Sequence, residues 1–196
     1  VYMKDNSYEG RMIVFEGADG VGTTTQSKMF AERYGGFWTR EYTKKKIGSK
    51  VDEMIKEPGY SAQAVALGFA ADRIVHVEED IIPRVENGEM VVMDRYYYSS
   101  LVYQPALGAD YEWVKCINRN CPRPDLTIVL DAEPETAMDR LQQREGDTGK
   151  NIFENLDFQD RVIMRYRQLP ERLDEDIVII DGTLSKEEVF ERVEEE

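Results

Sequence analysis

An apolar, β-branched run from Arg11 to Glu16 (RMIVFE) breaks straight into Gly17-Ala18-Asp19-Gly20-Val21-Gly22-Thr23-Thr24, and a helical pattern follows to about Tyr34. A strand that feeds a helix through so glycine-rich a turn can point its backbone N–H groups inward, at the positive end of the helix. The loop fits the phosphate-binding pattern G-x-x-x-x-G-K-[ST] at every fixed position but one, since Thr23 stands where lysine belongs. A glycine turn in an α/β protein that binds no nucleotide is the plainer alternative.

The same alternation recurs along the chain. Gly36 to Glu41 reads as a short second strand, and Gln63 to Val85 as a long helix stopped near Asn87-Gly88. Met90 to Asp94 (MVVMD), Leu126 to Asp131 (LTIVLD) and Ile177 to Asp181 (IVIID) are further short apolar runs separated by helical patterns. Strands buried on both faces look like this. The expectation is an α/β fold with a doubly wound, five-stranded parallel sheet flanked by helices. Ligands of such sheets sit beyond the carboxyl ends of the strands, where Glu16, Asp94, Asp131 and Asp181 fall.

The 196 residues suit one domain. Thirty-nine acids against 25 bases give a net charge of −14, which argues against a nucleic-acid polymer as partner, because that needs a basic face. Small phosphorylated ligands stay open, since a few arginines and backbone N–H groups hold them locally. No apolar run approaches the roughly 18 residues of a membrane span, and Val1 to Gly10 is polar, unlike a signal peptide. Cys116 and Cys121 lack the second pair of ligands that structural zinc needs, so both read as free thiols in a reducing cytoplasm. His76, the one histidine, reads as an ordinary surface or core residue.

The string Phe15-Glu16-Gly17-Ala18-Asp19-Gly20, followed by Thr24-Thr25-Gln26, resembles the phosphate loop of the thymidylate kinases, FEGxDGxGK[ST]TQ. Thr39-Arg40-Glu41 is similar to the family's TRE-P segment, with Tyr42 where proline is usual. Asp94-Arg95-Tyr96, Ser99-Ser100 and Tyr103-Gln104 resemble its DRY…SS…YQ stretch, and Pro124-Asp125-Leu126-Thr127 its lead-in to the fourth strand. The matches run in order from residue 11 to about 182. The resemblance implies a single P-loop kinase domain over residues 1–196. It would move phosphate from ATP to dTMP with Mg²⁺, as a cytoplasmic homodimer with neither a nucleic-acid nor a membrane partner. Two alternatives stand beside it: a kinase of the same fold with another nucleoside or monophosphate as acceptor, and a nucleotide-binding module that has lost catalysis. Only Thr23 speaks for the module.

The resemblance also assigns roles. Gly17, Ala18, Asp19, Gly20, Val21, Gly22, Thr23, Thr24 and Thr25 would wrap the ATP phosphates. Thr24 and Asp94 would serve Mg²⁺, with Asp94 acting through water or orienting the acceptor oxygens. Phe69 and Arg73 lie four apart on one helix face, an aromatic plane and a guanidinium that suit a pyrimidine base. Arg95 offers a fork of donors to the acceptor phosphate, and Arg40 is a second candidate. Asp19, costly beside phosphates, would accept from the sugar 3′-hydroxyl. Tyr103 would crowd the 2′ position, and Gln104 with Ser99 or Ser100 would meet the base edge. Taken singly, these residues read more plainly: Phe69 as core, Arg73 and Arg40 as paired or solvated arginines, Asp94 as a cap or a strand-end ion pair.

Residues 140–155, charged and glycine-bearing, correspond to the family's lid; a solvated loop is the plainer reading. With Gly20 rather than arginine after Asp19, the family pattern asks the lid for a base, from Arg140, Arg144 or Lys150. Arg144 and Lys150 join Asp94 and Arg95 as catalytic candidates. Phe153 stands beside the acceptor where tyrosine is common, and Asp181-Gly182-Thr183 resembles the adenine-side loop. Threonine at 23 can donate one hydrogen bond but brings no charge to the phosphates. That leaves lost activity, a slow kinase, or rescue by a base from elsewhere; Lys28, within the helix, is expected to point away.

Overall fold

The computed structural model of the chain describes residues 8–57, 59–145 and 156–196, with Arg144 and Glu145 described in backbone alone. Five parallel strands form one sheet: β1 (Arg11–Gly17), β2 (Phe37–Arg40), β3 (Met90–Asp94), β4 (Leu126–Asp131) and β5 (Ile177–Asp181), in the order β2-β3-β1-β4-β5. This is the α/β sheet expected from the apolar runs. β1, β3 and β4 fill its centre and are buried almost throughout, as unbroken apolar strands must be. β2 and β5 are edges and only partly covered, with Ile179 41% exposed, so burial on both faces holds for the inner three alone. β1 lies between β3 and β4, the strand order reverses beside it, and a crevice forms at the carboxyl ends. The register lines those ends up: Arg40 pairs with Asp94, Phe15 with Asp94, and Asp131 with Asp181.

The glycine turn after β1 delivers the chain into α1 (Thr23–Tyr34), and α2 (Lys46–Lys56) and α3 (Ala62–His76) follow β2. The single helix expected from Gln63 to Val85 is in fact interrupted. α3 ends at His76, a π-helical turn covers Val77–Ile81, and α4 takes Ile82–Glu86. Pro83 supplies the reason: it has no N–H for the regular ladder and its ring crowds the preceding turn, so the Ile82 N–H reaches back to Val77 O. α5 (Tyr97–Ala106) leaves β3 directly, and α6 (Tyr111–Asn118) precedes β4. Between β4 and β5 run α7 (Pro134–Glu145), α8 (Leu156–Arg167) and the short α9 (Leu169–Arg172), and α10 (Lys186–Glu195) comes last. Residues 140–145, read from sequence as the start of a lid, are the final turns of α7. No helix among the described residues is long and apolar enough to cross a membrane.

The 41–45 segment, which carries the chain from β2 to α2, is fixed from several sides. The Glu41 N–H donates to Asp94 O at 3.1 Å. Thr43 gives both its N–H and its hydroxyl to the buried Asp72 carboxylate of α3, at 2.7 and 2.6 Å. Lys45 reaches Glu79 and Asp80 at 2.8 and 2.6 Å. From below, α2 packs so closely that a Cβ on Gly48 would stand 1.9 Å from Thr43 O. Gly48→Ala is therefore expected to push the segment off α2 and to cost about 2 kcal/mol, the scale of an overpacked core. Urea denaturation checks this, and an unchanged midpoint would show that the two pieces part freely.

Candidate active site

Gly17, Gly20 and Gly22 all carry positive φ (149°, 90° and 104°), and this shapes the loop between β1 and α1. Space decides as well as angle at Gly20, where a Cβ would lie 2.3 Å from Ala137 O of α7. An arginine starting from this position would meet α7 at once. Gly22 is the N-cap of α1, and its carbonyl takes the Thr25 and Gln26 N–H groups at 3.0 and 3.1 Å. The earlier N–H groups of such a helix start belong to a ligand or to solvent.

A cavity of about 300 Å³ opens at this loop. The loop contributes Asp19, Gly20, Gly22, Thr23, Thr24 and Thr25 to its lining; β2 gives Arg40; α3 gives Phe69 and Arg73; and the β3–α5 stretch gives Arg95, Ser99, Ser100, Tyr103 and Gln104. Gly17, Ala18 and Val21 are buried and do not line it, and Asp94 is buried beside Thr24. Lys28 lies over the Trp38 ring at 4.6 Å. Arg140 donates to the carbonyls of Gly182 and Thr183 at 2.6 and 3.3 Å, on the loop after β5. Lys150, Phe153 and the side chain of Arg144 lie outside the described residues.

Arg95 follows β3 with φ 72°, a value few side-chain-bearing residues adopt. Its guanidinium crosses the loop, donating to Gly17 O (2.9 Å), Ser99 Oγ (3.2 Å), Tyr166 OH (3.4 Å) and Asp19 Oδ1 (2.7 Å). Glu16, which has no solvent exposure, accepts from the Tyr96 N–H (2.7 Å), the Ser99 N–H (3.2 Å), Ser99 Oγ (2.7 Å) and Tyr166 OH (2.8 Å). Burial raises its carboxyl above the ordinary value of 4.5, while the Arg95 charge and the hydrogen bonds pull the other way.

Thr24 Oγ1 donates to Asp94 Oδ2 at 2.5 Å, and Asp94 Oδ1 is buried with no hydrogen-bond partner among the described residues. Such an oxygen pair fits a hard cation that keeps water and ligand phosphates in its other positions. Among the described residues no group of three or more His, Cys, Asp or Glu forms a closed metal cage.

Across the cavity Arg73 is only 1% exposed. Its Nε donates to Glu41 Oε2 (2.6 Å), Nη1 to Asn118 Oδ1 (2.5 Å), and Nη2 to Ser100 Oγ (3.1 Å) and Tyr96 O (3.4 Å). A guanidinium has five N–H groups, so among the described residues one on Nη1 is left over. Gln104 is equally buried, and its Oε1 has no partner among the described residues. The Tyr103 ring lies 5.5 Å from the Arg95 guanidinium.

A family model described as thymidylate kinase matches residues 15–193. The chain belongs to the thymidylate kinase family. It is 38% identical over 193 residues to a probable thymidylate kinase of Methanocaldococcus jannaschii, covering 97% of this chain and 95% of that one. A probable thymidylate kinase of Pyrococcus abyssi is 38% identical over 94% of each chain. One of Methanococcus vannielii is 40% identical, over 82% of this chain and 78% of its own length.

Several residues that support this family member's cavity carry no role in the sequence reading. Glu41 appears there only as part of the Thr39-Arg40-Glu41 string, a usable signal for the partner of Arg73. Asn118 and Tyr166 sit on helices without any motif, and nothing in the sequence marks them. Glu16 yields a pH test. A carboxyl raised in the folded state favours folding fully below 4.5, and that contribution drains away as pH climbs through the raised folded value. Glu16→Gln has no proton to lose, so its stability relative to the parent is expected to rise between pH 4.5 and 7.5. Urea midpoints across that window provide the check, and a flat difference would mean that the carboxylate is already ionised at the lower end.

Proposed function

We propose that the chain transfers the γ-phosphoryl group of ATP to dTMP, giving dTDP. The observation that carries this reading is one cavity onto which both the phosphate loop and the pyrimidine-suited trio Phe69, Arg73 and Gln104 open. In this reading the loop backbone and Thr25 hold the ATP phosphates. Thr24 and Asp94 are the residues that would hold Mg²⁺, which the Asp94 Oδ1 atom, without a partner among the described residues, suits. When bound, that ion offsets negative charge on the phosphates.

The chain's own residues supply position and selectivity. Arg95 turns its fork from Asp19 to the acceptor phosphate, with Arg40 as a second donor. Asp19, so released, accepts from the sugar 3′-hydroxyl, and the Tyr103 ring bars a 2′-hydroxyl. Phe69 stacks on the base. Gln104 Oε1 takes the N3–H of thymine, a hydrogen that cytosine lacks, and the remaining Nη1 hydrogen of Arg73 goes to a base carbonyl. The acceptor phosphate oxygen attacks in line, so no protein nucleophile is required.

Arg144 and Lys150, in a 140–155 segment that acts as a lid on one kinase domain, make up only part of the charge missing at Thr23. Leu67 and Ala71, exposed four residues apart on α3 with Leu67 52% exposed, support a homodimer, and Cys116 and Cys121, free of any disulfide, suit a cytoplasmic setting.

Steady-state transfer from ATP to dTMP with Mg²⁺, run beside Thr23→Lys, tests the reading. Both forms are expected to turn over, with kcat for Thr23→Lys higher by about 10²-fold, the usual worth of one well-placed charge-stabilising group. No turnover by either, with dTMP still bound, would replace the kinase by a binding module.

A further inference from the structure

Tyr42, which stands where the family usually has proline, is built into the cavity wall. It lines the cavity with Phe69, and the two rings meet at 65° with centroids 5.7 Å apart. Its hydroxyl is already committed, donating to Asp52 Oδ1 of α2 at 2.5 Å, while Asp52 Oδ2 accepts from Lys56 Nζ at 2.6 Å. Burial, then the Asp52 hydrogen bond and charge, push the phenol well above its ordinary value, so it stays a donor. With Thr43 tied to Asp72 one residue on, the ring has little freedom to swing.

Two ring planes at this angle make a corner. A flat base stacked on one ring sets an edge against the other. Gln104 Oε1 and the spare Arg73 N–H claim the hydrogen-bonding edge of a pyrimidine, which leaves its C5–C6 edge for the corner. An aromatic wall gains more from a methyl group there than from a hydrogen, through burial and dispersion. We infer that Tyr42, held in place by Asp52, is a specificity-determining residue that reads the 5-methyl group of the acceptor base and favours dTMP over dUMP. This rests on the thymidylate reading of the same cavity.

Calorimetric titration of dTMP and of dUMP without ATP, with kcat/KM for both, would be measured on the parent, Tyr42→Ala, Tyr42→Phe and Asp52→Ala. The parent is expected to prefer dTMP. Tyr42→Ala should lower the dUMP:dTMP ratio of Kd values about fourfold, the worth of one buried methyl group, with KM for ATP unchanged. Tyr42→Phe and Asp52→Ala, which keep the ring but lose its tether, should lower the ratio in part and to a similar extent. A parent-like ratio in Tyr42→Ala overturns the inference while the thymidylate reading stands. If that variant does not fold, a parent-like ratio in Asp52→Ala overturns it instead. A parent that neither binds nor phosphorylates dTMP overturns both.

Discussion

A carboxylate at the buried end of a central strand is costly unless its oxygens are filled. Glu16 meets this condition with hydrogen bonds from the start of α5, from Ser99 and from Tyr166 of α8. One side chain thereby ties β1, α5 and α8 together at the point where the phosphate loop begins. Arg95 supplies the compensating charge and also grips Gly17 O, so the loop leaves the strand in a fixed direction. Take this hub away and the end of β1, the Arg95 fork and α8 lose their common partner. The glycine angles allow the loop; the Glu16–Arg95 pair holds it against the rest of the fold.

A second hub backs the other side of the cavity. The Glu41–Arg73 ion pair is nearly without exposure, and Asn118, Ser100 and the Tyr96 carbonyl fill most of the remaining donors. His76 flanks it, with Nε2 against Thr39 Oγ1 at 2.7 Å and Nδ1 3.5 Å from Glu41 Oε1. Buried ion pairs are weak evidence for stability, because desolvation offsets most of their attraction. What such a network does supply is direction. An arginine whose fork is held at four acceptors can offer its last N–H along one line only, which is the preorganisation a selective site needs.

The inner strands were legible because burial on both faces forces nearly continuous apolar residues, and β1, β3 and β4 show it. Edges were not, since IVIID in β5 looks the same whether one neighbour lies beside it or two. The break in the long helix hid behind a continuous pattern, with Pro83 as its one clue. Residues 140–145 looked like loop because their charges mask the helix that carries them. At the cavity, residues in contiguous strings such as Asp94-Arg95-Tyr96 could be picked out, and folding brings them to one space. Their partners could not. Asn118 lies 45 residues from Arg73 and Tyr166 lies 150 from Glu16, and a single polar residue on a helix carries no periodic signal that would pair it with either.

Asp19 is an odd residue to place in a phosphate loop, above all in a chain of net charge −14 that lacks the loop lysine. Its pairing with Arg95 at 2.7 Å cancels its charge locally, so a phosphorylated ligand does not approach an uncompensated carboxylate. On the kinase reading, binding then exchanges partners and creates no new buried charge: the acceptor phosphate takes the guanidinium and the sugar hydroxyl takes the carboxylate. A ligand that supplies only one of the two leaves the other group stranded, and an unpaired polar group is what discriminates most strongly between ligands. On that reading Arg95, which follows β3 and already donates to Gly17 O, keeps a positive charge beside the loop where Thr23 provides none.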